Sequence, residues 1–368
     1  MSRKTISYCL FPLTMWYAIG VAFRNFLFLI GVKKETSPQV TTISVGNLAT
    51  GGTGKTPMVE HLIGLLGDEF SVALLSRGYK RKTKGFLLAD EHATVETIGD
   101  EPYMMHSKFP HVATAVCEKR LEGIRQLLSL QQPPQLVLMD DAYQHRYVKP
   151  SLNILLTEYQ CPYYRDQILP FGNLREFKSA RSRANIVVVT KSPEKINPIE
   201  KHLIIGSLGL KPYQKVFFSS IVYGDPIGLF GDSPSAYTPQ VLLVTGIAHP
   251  QPLIDEVSRH AKVTHLAFAD HHDFAAADLE HIRSAYAKLP QGSMILTTEK
   301  DAARLIPHRE ALNGLPISYL PITVKVHPNG DIDFDQVVLK TVRENVQFLD
   351  KLHSNPMASA SKASPLMR

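Results

Sequence analysis

Apolar residues along the chain fall into two alternating patterns. Short β-branched runs end in polar or glycine-rich turns, and after each come apolar positions at helical spacing. The first such unit is the clearest: 41–45 reads as a buried strand, 49–54 as a glycine-rich turn and 58–66 as a helix. Further strands at 71–75, 136–139 and 186–189 run into Ser76-Arg77-Gly78-Tyr79, Asp140-Asp141 and Thr190-Lys191, which puts polar chemistry at each carboxyl end. In an open parallel sheet that edge binds ligands, so these groups are expected to converge on one crevice. A second set begins near Val216, with strands at 241–244 and 294–296 and a helical pattern at 253–260 between them. The pattern predicts an α/β protein of two units, jointed within 206–223, with no internal repeat. The expected bounds are 1–34 for an N-terminal segment, 35–212 for a core domain, 213–350 for a smaller domain and 351–368 for a disordered tail.

The N-terminal stretch 8–32 is almost wholly apolar and carries Trp16 with several Phe and Tyr, but Arg24-Asn25 interrupts it and Pro12 lies near its start. Its uninterrupted runs are shorter than the ~20 residues of a spanning helix, and an Arg at mid-bilayer is costly. Arg3, Lys4, Lys33 and Lys34 bracket it, which suits a helix lying in a membrane interface against anionic headgroups. A helix buried in the core or in a dimer contact is the alternative. A cleaved signal peptide is rejected, because export would remove a nucleotide loop from ATP.

With 368 residues, 44% of them hydrophobic, the chain can bury a large core. Its net charge of +6 favours anionic partners without choosing among nucleotides, phospholipid surfaces and nucleic acid. Cys9, Cys117 and Cys161 show neither metal spacing nor a paired framework, as in a reducing compartment. No aromatic-plus-basic array suits nucleic acid. Nothing in the residues sets an oligomeric state.

The chemistry is concentrated at the strand ends. Ala49-Thr50-Gly51-Gly52-Thr53-Gly54-Lys55-Thr56 is a phosphate loop in which Ala49 stands where the usual pattern has Gly. Its backbone N–H groups can ring a polyphosphate, Lys55 can reach the terminal phosphates, and the Thr56 hydroxyl can ligate Mg²⁺. Asp140 and Asp141 at a neighbouring strand end are expected on the same metal, with Gln144-His145-Arg146 on the loop beyond. Arg175 can stabilise charge on a transferred phosphoryl group and Glu176 can orient the metal, although composition alone leaves them an ordinary ion pair. Arg77, Lys80, Arg81, Lys82 and Lys84 form either an acceptor-phosphate site or a solvated basic loop. By spacing alone, Asp100 in Gly99-Asp100-Glu101-Pro102 is a helix N-cap. Asp270-His271-His272-Asp273 carries two histidines with no assigned role.

These stretches together resemble the tetraacyldisaccharide 4'-kinase family, which phosphorylates a lipid A precursor at the bacterial inner membrane. The likeness runs from the apolar N-terminal segment through the phosphate loop, Ser76-Arg77-Gly78-Tyr79, Gly99-Asp100-Glu101-Pro102, Asp140-Asp141-Ala142-Tyr143-Gln144-His145, Leu174-Arg175-Glu176 and Asp270-His271 to Thr298-Glu299-Lys300-Asp301. Ala142-Tyr143 replaces the family's frequent Gly-Phe, and Ala49 is compatible with its loop. The resemblance implies a P-loop NTPase-like α/β/α core, a smaller α/β/α domain on a hinge, ATP and Mg²⁺ in the cleft, and a membrane-associated N-terminal helix. It makes Asp100 the base for the acceptor hydroxyl, in place of the N-cap reading, with His271 rather than His272 as its partner. It puts Asp140, Asp141 and Glu176 near Mg²⁺, and Lys55 and Arg175 on the transferred phosphate. Arg77, Tyr79, Arg120, Gln144 and His145 fall on the substrate side, Arg120 also matching a basic group near the phosphates, and the acceptor is an acylated disaccharide 1-phosphate met at the cytoplasmic face of the inner membrane. The rival is a nucleotide-switched, membrane-associated GTPase. Against it, Thr190-Lys191 runs into Ser192-Pro193 where a guanine-reading Asn-Lys-x-Asp would stand.

Overall fold

The computed structural model describes residues 3–230, 233–270 and 272–354. Helix α1 (Arg3–Leu29) leads into β1 (Thr41–Asn47), α2 (Lys55–Gly67), β2 (Val72–Ser76), β3 (Leu87–Leu88), α3 (Val95–Ile98), α4 (Asp100–Lys108), β4 (Ala113–Val116), α5 (Arg120–Leu128), β5 (Leu136–Asp140), β6 (Leu152–Glu158), β7 (Ile186–Thr190), α6 (Pro198–Leu208) and β8 (Lys215–Tyr223). The chain then forms β9 (Ile227–Gly228), β10 (Gln240–Thr245), α7 (Gln251–Val257), β11 (Lys262–Ala267), α8 (Ala276–Tyr286), β12 (Met294–Thr298), α9 (Glu299–Leu305) and β13 (Ile317–Leu320). It ends in β14 (Ile322–His327) and α10 (Phe334–Ser354).

The large sheet has nine strands in the order β14-β8-β7-β6-β1-β5-β2-β4-β3. Only the edges β14 and β3 run antiparallel to their neighbours. β1 lies at the centre between β5 and β6, and from it the chain moves first to one side and then to the other. Its end is therefore the switch point at which open α/β sheets bind ligands. The central strands are buried along their whole length, and β5 and β7 are nearly continuous Val, Ile and Leu runs. The smaller sheet, β11-β10-β12-β13-β9, is parallel apart from β9.

The expected boundary at 212/213 is corrected by this topology. β8 is the eighth strand of the large sheet, and the second unit lies between it and β14, which pairs with β8 from Ile322↔Tyr223 to His327↔Phe218. The outgoing and returning connections thus run side by side, joined by the Gly224 N–H donating to the Pro321 carbonyl at 2.9 Å. Beyond β14, α10 returns to the core domain. Phe334, Val338, Val342 and Val346 recur every fourth residue and pack into the same core as Leu62 and Leu66 of α2 and Ile43 and Val45 of β1. Of the expected disordered tail, 351–354 continues this helix and the remainder lies outside the described residues.

α1 is 27 residues long, and no helix among the described residues is long and apolar enough to cross a membrane. Arg24-Asn25, read in the sequence as an interruption, is the polar part of a docking face. Arg24 ion-pairs with Glu176 at 3.1 Å, and Asn25 accepts from Arg146 at 3.2 Å. Phe28 is buried against Tyr147, under the Arg146 guanidinium. Trp16, Phe23, Phe26 and Leu29 remain exposed.

Phe334 is 1% exposed and meets Phe217 edge-on at 5.3 Å. Phe334→Ala is expected to destabilise the core domain by about 3–5 kcal/mol in urea unfolding, whereas Ile332→Ala at an exposed neighbour should change it by less than about 0.5 kcal/mol. Equal, small effects would contradict the place given to α10.

Candidate active site

The phosphate loop is pinned from both flanks before any ligand arrives. Asn47, at the end of β1, donates to the Thr53 hydroxyl at 2.8 Å, and Thr190, at the end of β7, donates to the Thr53 carbonyl at 2.9 Å. Gly51 and Gly54 have φ of 105° and 79°, the left-handed region that glycine enters without strain. Ala49 has no such φ. It lies extended in an antiparallel bridge to Leu174, which explains why a Cβ is tolerated there. Thr50 N–H donates to the Asn173 carbonyl at 2.8 Å, and Arg175 N–H to the Leu48 carbonyl at 2.7 Å. Ala49 and Thr50 therefore anchor the loop carrying Arg175, while Gly51 to Thr56 form the cradle and the start of α2.

Parallel register aligns β5 with β1, so Asp140 lies beside Val45, within electrostatic reach of Lys55. Asp141 has a φ of 45°, a conformation Asp tolerates better than most residues. Its carboxylate accepts from Arg175 at 2.9 and 3.2 Å and lies 3.8 Å from Lys55 Nζ. Burial opposes its charge, but Lys55 and Arg175 prevail and hold its pKa below the usual value. Asp140 is 7% exposed, and its Oδ1 has no hydrogen-bond partner. Burial, with the charges of Glu101 and Asp141, pushes its pKa up to about 7. A buried carboxylate oxygen without a donor, close to the cradle, suits a cation. Among the described residues there is no group of three or more His, Cys, Asp or Glu placed to hold a metal ion. Thr56, buried at the first turn of α2, donates to Glu101 at 3.3 Å.

Two sequence expectations give way here. Glu176 is 1% exposed, with one oxygen on Arg24 and the other on Arg183 at 2.8 Å. It anchors α1 to the core domain, and both oxygens are taken by guanidinium groups rather than left for a metal. Arg120 is 2% exposed and donates to the backbone carbonyls of Cys117 and Asp140, so it supports the Asp140 strand end from beneath instead of facing a substrate. Burial lowers its pKa only to about 10, leaving it cationic at neutral pH. Gln144 bridges the Asn47 carbonyl, to which it donates at 2.7 Å, and Arg24, from which its own carbonyl accepts. Arg77 and Tyr79 are exposed at the end of β2.

Asp100 opens α4. The cap is Gly99, whose φ is 92° and where a Cβ would lie 2.9 Å from the Tyr79 carbonyl oxygen, too close to fit. The N-cap reading of Asp100 is corrected accordingly. Asp100 Oδ1 accepts from Glu101 N–H at 2.9 Å, and Oδ2 accepts from Arg304 of the second domain at 2.6 Å. Its neighbour Glu101 pairs with Lys300, which overrides burial and keeps the Glu101 pKa below the usual carboxylate value. Glu299 pairs with Lys108 at 2.7 Å. His271 lies outside the described residues. His272 is committed within the second domain, 2.9 Å from Asp278 and stacked on Phe268. The sequence by itself assigns no role to Lys300 or Arg304. Their signal was Thr298-Glu299-Lys300-Asp301 at a strand end with Arg304 three residues on, one helical turn from Asp301.

His145 is held at about 4 instead of 6.5, by burial first and then by Arg120 and Arg77. The folded protein keeps the imidazole neutral while the unfolded chain takes up a proton, so this stability is complete above pH 6.5 and is lost as pH falls to about 4. Its decline approaches about 1.4 kcal/mol per pH unit. His145→Gln should flatten the fall of the urea midpoint across that window, and an identical fall in both proteins would contradict it.

Comparison with known proteins finds relatives along nearly the whole chain. The family model LpxK, tetraacyldisaccharide-1-P 4'-kinase, matches residues 6–343. The chain is 47% identical over 352 residues to the tetraacyldisaccharide 4'-kinase of Bacteroides fragilis (strain YCH46), covering 92% of this chain and 94% of that protein. It is 43% identical over 343 residues to that of Flavobacterium johnsoniae, covering 92% and 98%. A crystal structure of LpxK from Aquifex aeolicus in complex with ATP superposes with a TM-score of 0.70 at 28% identity, over 93% of this chain and 99% of that one. Matched along nearly its whole length, the chain belongs to the tetraacyldisaccharide-1-P 4'-kinase family.

Proposed function

We propose that the protein transfers the γ-phosphoryl group of ATP to the 4'-hydroxyl of a tetraacyldisaccharide 1-phosphate, with Asp100 as the base. The observation that carries this reading is the meeting, at one sheet edge, of a pinned phosphate cradle, the Asp140 oxygen without a donor, and a carboxylate at the start of α4. The Gly51 to Thr56 backbone and Lys55 hold the triphosphate. Thr56 and Asp140 are the residues that would hold Mg²⁺, which when bound neutralises charge on the phosphates. Asp141 keeps Lys55 and Arg175 side by side, so two cations are positioned for charge on the transferred group. Asp100 takes the proton from the acceptor hydroxyl as it attacks. Phosphoryl transfer of this kind depends on positioning and charge neutralisation more than on covalent chemistry.

The exposed face of α1, with Trp16, Phe23 and Phe26, then meets the cytoplasmic surface of the inner membrane, where the acyl chains of the acceptor lie. The opposite face is tied to the catalytic loop: Tyr17 donates to the Arg175 carbonyl at 3.0 Å and Arg24 holds Glu176. One helix thereby links the lipid surface to the loop bearing Arg175. Membership in a kinase family removes the ground for the GTPase alternative.

Asp100→Ala should retain ATP affinity while phosphorylation of the acyl-disaccharide falls roughly 10²–10⁴-fold; unchanged turnover would remove Asp100 from the mechanism. Replacing both Trp16 and Phe23 by Ala should weaken co-sedimentation with phosphatidylglycerol vesicles by at least about tenfold, given about 1.5–3 kcal/mol per buried large apolar side chain. Unaltered vesicle binding would move the membrane contact elsewhere.

A further inference from the structure

We infer that Arg304 is a positioning residue for Asp100, supplied by the second domain and itself held in place by Asp301. The inference rests on the reading of Asp100 as the base. Arg304 and Asp100 are 204 positions apart in sequence, yet Nη2 of one lies 2.6 Å from Oδ2 of the other. The guanidinium is nearly buried, its side chain 6% exposed, and its Nη1 donates to Asp301 Oδ1 at 2.9 Å. Asp301 is wholly buried. Its other oxygen accepts from Gly246 N–H and from the Thr298 hydroxyl, both at 2.8 Å. Asp301 is thus fixed to the ends of β10 and β12, two adjacent interior strands of the smaller sheet, and the fork of Arg304 is aimed by that attachment.

This arrangement does more than join two domains. Asp100 Oδ1 accepts from the Glu101 N–H in the first turn of its own helix and Oδ2 from Arg304, so each domain contributes to setting the carboxylate plane. Lys300, whose charge also interacts with Asp100, is engaged by Glu101. A planar fork with several donors can serve two carboxylates at once, which a lysine ammonium on a flexible stem does poorly. Orientation of the base therefore depends on the second domain being seated on α4. Seating is reinforced by the Glu299–Lys108 and Lys300–Glu101 pairs on either side. A base aligned only in the seated arrangement restricts transfer to a closed site from which water is excluded.

A double-mutant cycle between Arg304→Gln and Asp100→Ala tests this, with transfer from ATP to the acyl-disaccharide phosphate as the readout and thermal stability and ATP affinity measured alongside. Arg304→Gln alone should lower kcat on the order of 10²-fold, with KM for either substrate within about threefold. Arg304→Lys should recover part of that loss. In the Asp100→Ala background, Arg304→Gln should have no further effect, because its influence passes through Asp100. A wild-type kcat for Arg304→Gln would overturn the inference. So would a loss confined to KM, or the same fold-loss with and without Asp100. If Arg304→Gln does not fold, Arg304→Lys enters the cycle in its place under the same criteria. Wild-type turnover by Asp100→Ala alone would instead refute the reading of the base, which separates the two failures.

Discussion

Carboxylates crowd the carboxyl edge of the large sheet, and the site depends on how their mutual repulsion is relieved. Asp100 has Arg304, Glu101 has Lys300, and Asp141 has Arg175 with Lys55 behind it. Asp140 is different. Arg120 lies beneath it but donates to its backbone carbonyl, and one carboxylate oxygen is left buried without a donor. Burial and two neighbouring carboxylates push its pKa up to about 7, so a proton or a cation must satisfy it. On the proposed reading, a divalent ion arriving with the triphosphate would satisfy that oxygen.

The remainder of the fold delivers the compensating charges. β1 and β7 pin the cradle through Thr53, the bridge at Ala49 brings Arg175, and the detour of the chain through a second sheet brings Lys300 and Arg304. Because β8 and β14 pair as the chain leaves and returns, that detour is attached through adjacent strands. α1 contributes from the opposite side, since Arg24 neutralises Glu176 behind the Arg175 loop. Contacts that look like separate surface ion pairs in the sequence therefore form a continuous set around one kinase site.

The phosphate loop and the strand-end acids were legible from the chain because they are local: a β-branched run, glycines, Lys-Thr, then helical spacing. What was not legible arises from pairing over long separations. The apolar stripe of α10 announces a packed helix but not which sheet it packs on, so the core domain was ended too early. Arg24 within an apolar stretch reads as a flaw in a membrane segment until Glu176, far along the chain, is seen beneath it. Motif position points Glu176 toward metal and Arg120 toward substrate, whereas in the fold Glu176 is held by two guanidinium groups and Arg120 by backbone carbonyls. Arg304 carried only the faint mark of standing one helical turn after Asp301.

The central claim is that the unsatisfied oxygen of Asp140 marks the cation position, and manganese binding tests it most directly. Electron paramagnetic resonance titration of the nucleotide complex with Mn²⁺ should show Asp140→Asn weakening the ion by at least about tenfold, as loss of a ligand does. Glu176→Gln should leave Mn²⁺ affinity unchanged. Equal Mn²⁺ affinity in wild type and Asp140→Asn, or a loss seen with Glu176→Gln instead, would contradict the account.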